Sequence, residues 1–120
     1  MEEDQDLTEK RELKRWQLIF YLRVFDQETG SLLGHIVDIT TEGLMLISET
    51  PIPTERDYRL WIEIPQEGGE RQRIPLEARS LWHDRDINPA CFDTGFRLIN
   101  ITPEALHKIR LLIDDLKFYE

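Results

Sequence analysis

Apolar and polar side chains alternate along much of this chain with a period of two, the spacing of a strand that turns one face to a core. Tyr58, Leu60, Ile62 and Ile64 alternate with Arg59, Trp61 and Glu63. Ile74, Leu76, Ala78, Ser80 and Trp82 alternate in the same way with a wet face of Arg73, Glu77 and Arg79. Denser branched and aromatic runs at Gln17 to Phe25, Leu32 to Ile39 and Leu44 to Ser48 predict three earlier strands, and Phe92, Thr94, Phe96 and Leu98 a sixth. Turn residues separate them: Asp26 to Gly30, Thr40 to Gly43, the prolines at 51 and 53, Pro65 to Glu70, and a polar loop from Asp84 to Ala90. Gly95 marks a bulge or a close approach inside the sixth strand.

Only the last segment changes period. Thr102 suits an N-cap, Pro103 the first helical position and Glu104 the positive end of the dipole, while Leu106, Ile109, Ile113 and Leu116 share one face. The expectation is a mainly β fold: a six-stranded antiparallel β-barrel with a C-terminal α-helix covering an open end or edge.

Composition narrows the setting. A chain of 120 residues supports one core, and its single cysteine, Cys91, provides no disulfide framework. The longest apolar run, Leu18 to Leu22, is too short to span a membrane, and the acidic start MEEDQD is unlike a secretory signal, so a cytoplasmic protein without membrane insertion is expected. A net charge of −9 disfavours DNA and RNA as partners. Residues 1–9 carry five carboxylates and are read as a mobile acidic tail ahead of a single domain over residues 10–120. Against this background, four basic residues fall within Lys10 to Arg15.

That basic cluster is the first candidate chemistry. Arg11 and Arg15 are spaced RxxxR, and guanidinium forks suit both phosphate oxygens and the O6/N7 edge of guanine. The plainer reading is a solvated charge run paired with the acidic tail, or one helical turn capped by Thr8. The second candidate is the turn Asp38-Ile39-Thr40-Thr41-Glu42-Gly43. Asp38 can accept from the N–H groups of a guanine edge, Thr40 adds a hydroxyl, and Gly43 lets backbone come close; any tight turn also favours these residues. His83, Asp84 and Asp86 and the lone Cys91 form no recognised metal or nucleophile motif, so no metal, cofactor or catalytic residue is assigned and the protein is read as a non-enzyme.

Taken together, R11-E-L-K-R15 and D38-I-T-T-E-G43, with the lead-in YLRVFD and the closing DTGFRLINITPEALHKI, resemble the PilZ family of bacterial cyclic di-GMP receptors over about residues 10–118. The resemblance implies a split-barrel type domain that binds cyclic di-GMP on its outer surface and signals to a downstream protein, still unidentified, by ordering its basic N-terminal segment. Arg11 and Arg15 would engage phosphate and guanine, with Lys10 standing where the family often has arginine. Asp38, Thr40 and Gly43 would surround one guanine, Thr40 keeping the hydroxyl of the family's usual serine. Trp82, in a position similar to a family strand near the ligand, would stack on a base; on its own it reads equally as a core or barrel-end aromatic. Two other readings compete: a PilZ-like adaptor with a degenerate nucleotide site, and a small barrel binding single-stranded nucleic acid, which the charge opposes.

Overall fold

The structure, a computed structural model, describes residues 22–118. Six strands, β1 (Arg23–Asp26), β2 (Leu32–Ile39), β3 (Gly43–Ser48), β4 (Arg56–Pro65), β5 (Arg71–Arg85) and β6 (Phe92–Ile99), are followed by one helix, α1 (Pro103–Phe118). All strand pairs are antiparallel, and the order β1-β2-β3-β6-β5-β4 closes into a barrel, which leaves no edge to be capped. The expected barrel with its C-terminal helix is therefore the observed fold.

Alternation builds the interior. Val24, Ile36, Leu46, Ile62, Ile74 and Phe96, one from each strand, are buried with Ile109 of α1 in a single core. Ser80 is, with Thr94, a fully buried polar residue on the inner face. It is satisfied there, donating from Oγ to the Pro53 carbonyl at 2.8 Å and accepting from the Arg56 N–H at 3.2 Å, so it ties the proline loop to β5.

The helix starts where its sequence directs: Thr102 Oγ1 accepts from the Ala105 N–H at 3.1 Å. Its most buried stripe is Ala105, Ile109 and Leu112, and Leu106 and Ile113 flank it half-buried. The apolar face is thus rotated slightly from the one the sequence suggests, with Ala105 and Leu112 joining Ile109 in the core.

Strand boundaries shift by a few residues: β4 begins at Arg56 and β5 at Arg71, ahead of the alternating positions. Of the first predicted strand, residues 17–21 lie outside the described residues. β5 runs on to Arg85, into the expected loop, and carries a register shift between Ser80 and Trp82.

Candidate functional site

The strand pairings shift register in three places; one lies between β1 and β2 at Leu33, and the other two each re-aim a candidate residue. In β2, Ile36 pairs with Leu46 and Asp38 with Met45, leaving Val37 as an extra residue. In β5, Ser80 pairs with Phe96 and Trp82 with Gly95, leaving Leu81 extra. Without these bulges Asp38 would share the inward face of Ile36, and Trp82 that of Ser80. With them both side chains are exposed on the outer wall.

The same pairings set these residues on one row. Asp38 lies opposite Met45, Met45 opposite Gly95, and Gly95 opposite Trp82. Three strand spacings of about 4.8 Å separate its ends, so Asp38 and Trp82 stand roughly 14 Å apart at the backbone. The indole bridges part of that gap. A Cβ built on Gly95 would lie 2.5 Å from Trp82 ring atoms, which means the ring lies against the bare backbone of β6 while its residue remains 47% exposed. One face of the indole is therefore supported and the other is open for stacking. The sequence reading of Gly95 as a close approach is correct, and the bulge belongs to the facing strand.

The turn after Asp38 is held by its own residues. Thr40 Oγ1 accepts from the N–H groups of Glu42 (3.1 Å) and Gly43 (3.2 Å), and the Thr40 N–H donates to the Gly43 carbonyl at 2.8 Å. A Cβ at Gly43 would run into the Phe96 carbonyl of β6. Thr40 and Gly43 thus shape the bend and let β3 meet β6, while the exposed Asp38 carboxylate has no hydrogen-bond partner among the described residues.

The rows on either side differ in charge. Toward the turn, Gly43 pairs with Arg97 and Arg97 with Arg79, putting two arginines side by side on the outer face; Arg79 also donates to Asp57 at 3.0 Å. On the other side Asp93 pairs with Asp84. Burial, a hydrogen bond with Asp86 and the charges of Asp86 and Asp84 push the Asp93 carboxyl up to about 6. An anion lying on the Asp38–Trp82 row meets cations on one side and carboxylates on the other. Arg97 escaped the sequence reading, although its place between inward Phe96 and Leu98 already put it outside.

Lys10, Arg11 and Arg15 lie outside the described residues, as does the acidic run before them. The described chain begins at buried Leu22, whose carbonyl accepts from the Ile36 N–H at 3.1 Å. It joins the barrel beside β2, two positions from Asp38. Arg15 precedes Leu22 by seven residues, and seven residues of extended chain reach up to ~23 Å.

The sequence model of the PilZ domain matches residues 9–115. The chain belongs to the PilZ domain family. Solved structures share its barrel at low identity. The inhibitor of motility MotI/DgrA of Bacillus subtilis superposes with a TM-score of 0.61 at 17% identity, over 81% of this chain and 44% of that one. YcgR of Escherichia coli, in complex with c-di-GMP, gives 0.61 at 14%, over 80% of this chain and 40% of YcgR. The PilZ domain of CeSA from a cellulose-synthesizing bacterium gives 0.53 at 15%, over 80% and 90%. This PilZ domain therefore spans less than half the length of the first two proteins. No curated protein sequence matches it. Among the described residues no helix is long and apolar enough to cross a membrane.

Proposed function

We propose that this PilZ domain is a non-enzymatic cytoplasmic receptor for cyclic di-GMP, and that binding orders its basic N-terminal segment and so signals to a partner protein. The observation that carries this reading is the outward row from Asp38 to Trp82, built by two bulges next to the point where the N-terminal chain joins the barrel. That YcgR was solved in complex with c-di-GMP supports the choice of ligand.

In this reading one guanine stacks on the open face of Trp82 and another presents its N–H edge to Asp38. The phosphates face the side of Arg97 and Arg79, away from Asp93, and Lys10, Arg11 and Arg15 close over them from the N-terminal segment. Thr40 and Gly43 hold the turn that presents Asp38. Two or three charge-assisted contacts of about 1.5–3 kcal/mol each, less the cost of ordering the segment, are consistent with micromolar binding at about −8 kcal/mol.

Titration calorimetry tests this directly. The full chain is expected to bind cyclic di-GMP saturably and GTP far more weakly, and Arg11→Ala or Arg15→Ala to weaken binding at least about tenfold, the loss of one charge-assisted contact. No heat and no thermal shift at high micromolar ligand would end the proposal.

A further inference from the structure

A second outward cluster occupies the wall formed by β1, β4 and the first half of β5. Glu63, expected on a wet face, is instead covered. It accepts from Arg23 at 2.6 Å and from Arg71, and Arg73 approaches its other oxygen at 3.9 Å. The Glu63 side chain is 7% exposed, whereas those of Arg23, Arg71 and Arg73 are 38%, 53% and 51% exposed. The cations face water and the carboxylate does not.

Aromatic rings fix two of these guanidinium groups, those of Arg23 and Arg73, from the side. Arg73 lies over Trp61 at 4.9 Å and over Phe25 at 5.9 Å, and Arg23 lies over Phe25 at 5.6 Å. A cleft of about 210 Å³ opens between Arg23, His35, Glu63, Pro65 and Arg71. Burial first, and then Arg23, hold His35 below its ordinary value, so it adds no charge near neutral pH. Three arginines against one carboxylate leave an excess of two positive charges, on a chain whose total is −9.

We propose that this wall is a docking surface for an acidic segment of a partner protein, one carboxylate entering the cleft between Arg23 and Arg71 while the chain beside it lies over Arg73 and Trp61. Charge complementarity and preorganisation both favour such an occupant. The guanidinium groups are already held by Glu63 and by the rings, so docking costs little rotamer entropy, and arginine and tryptophan are the residues that dominate protein contacts. A nucleic acid fits worse, because its continuous phosphates would meet Glu63 at the centre of the cluster. Asp38 and Trp82 lie on a different wall, so the proposal does not rest on cyclic di-GMP binding, and both surfaces can be occupied at once.

The test is an NMR titration of the full chain with hexaglutamate at low salt. The expected result is saturable shifts of the Trp61 indole N–H and of the Arg23, Arg71 and Arg73 Nε–H signals, weakened about tenfold in Arg71→Gln/Arg73→Gln through the lost charge-assisted contacts. If that double variant loses its native signal dispersion, Arg73→Gln alone replaces it, since Arg73 has the loosest hold on Glu63. Absence of saturable shifts overturns the proposal, as do shifts confined to residues 10–15 or to the Asp38 wall. Equal shifts with a hexathymidine oligonucleotide would assign the wall to nucleic acid. Binding seen only after Glu2, Glu3, Asp4, Asp6 and Glu9 are changed to their amides would assign it to the chain's own acidic run. Either result also overturns it.

Discussion

On the β2-β3-β6-β5 wall, Asp38 and Trp82 reach the surface because the pleat is broken twice, and around them polar groups stay open. On the β1-β4-β5 wall the pairing of β4 with β1 and β5 runs without a shift, and the outward side chains satisfy one another around Glu63. The first wall gives up regularity and turns Asp38 and Trp82 outward, as the proposed ligand site requires, whereas the second keeps the register of β4 and fixes its charges in place. A bulge is worth its lost ladder bonds where a side chain must change sides; an unbroken ladder suits a surface whose side chains pair across strands.

The sharpest separation of the two kinds of glycine on the first wall comes from adding one methyl group. In Gly43→Ala the new Cβ meets the Phe96 carbonyl, which is backbone in the middle of a ladder. Overpacking of that kind costs up to about 3 kcal/mol. In Gly95→Ala the obstacle is the Trp82 ring, which is half exposed and can swing away. Urea unfolding is expected to show a large loss for Gly43→Ala and less than about 1 kcal/mol for Gly95→Ala. Cyclic di-GMP affinity should fall about tenfold or more in Gly95→Ala, because the stacking platform is displaced. Equal stability losses in the two variants would mean that the indole is as fixed as the backbone, and the first wall would then be no more open than the second.

The second wall is probed by Glu63→Gln, which leaves three arginines around a neutral amide. Removing one member of a fully buried ion pair costs about 3–5 kcal/mol. Here the arginines are half exposed, so screening reduces the expected loss to about 1–2 kcal/mol. The loss should shrink when the two proteins are compared at high salt, where repulsion among the arginines is damped. If Glu63→Gln is as stable as the parent at every salt concentration, the carboxylate does not organise that wall.

What could be read in the sequence follows from range. β2 was legible to the residue, and the start of α1 was too, because both are written in contiguous patterns and in local bonds such as Thr102 Oγ1 to Ala105 N–H. The turn motif at Asp38 was legible for the same reason. The two bulges were not: strict alternation carries Trp82 onto the face of Ser80, and only the opposing strand shows that Leu81 is extra. Glu63 lies on the outer face that its alternation gives, but its burial was not legible, because its partner Arg23 lies forty residues away and no pattern within one strand reports a cross-strand cation. Arg97 lay in plain alternation, but its relevance depends on Gly43 being its neighbour, which is a property of the closed barrel.

The smallest effect is expected at the acidic border of the first wall. One Asp93 oxygen is buried with no hydrogen-bond partner among the described residues, and the carboxyl is pushed up to about 6 by burial, then by its bond with Asp86 and the charges of Asp86 and Asp84. The native state therefore holds a proton there that the unfolded chain has already lost. Asp93 stabilises the fold fully below about pH 4, and that contribution disappears as pH rises through about 6. The amide introduced by Asp93→Asn cannot ionise and still offers a donor to Asp86. This variant should therefore match the parent at pH 4 and exceed it above pH 7, by less than about 1 kcal/mol once solvent screening is allowed for. Urea midpoints measured every half unit from pH 4 to 8 should show the difference emerging below pH 6 and levelling off above it. The same variant should bind cyclic di-GMP slightly more tightly at pH 7.5 and equally well at pH 5, because the border it neutralises flanks the Asp38–Trp82 row. A stability difference that does not change with pH would mean that Asp93 is ionised in the fold, and that the contrast in charge across this wall is steeper than a protonated carboxyl allows.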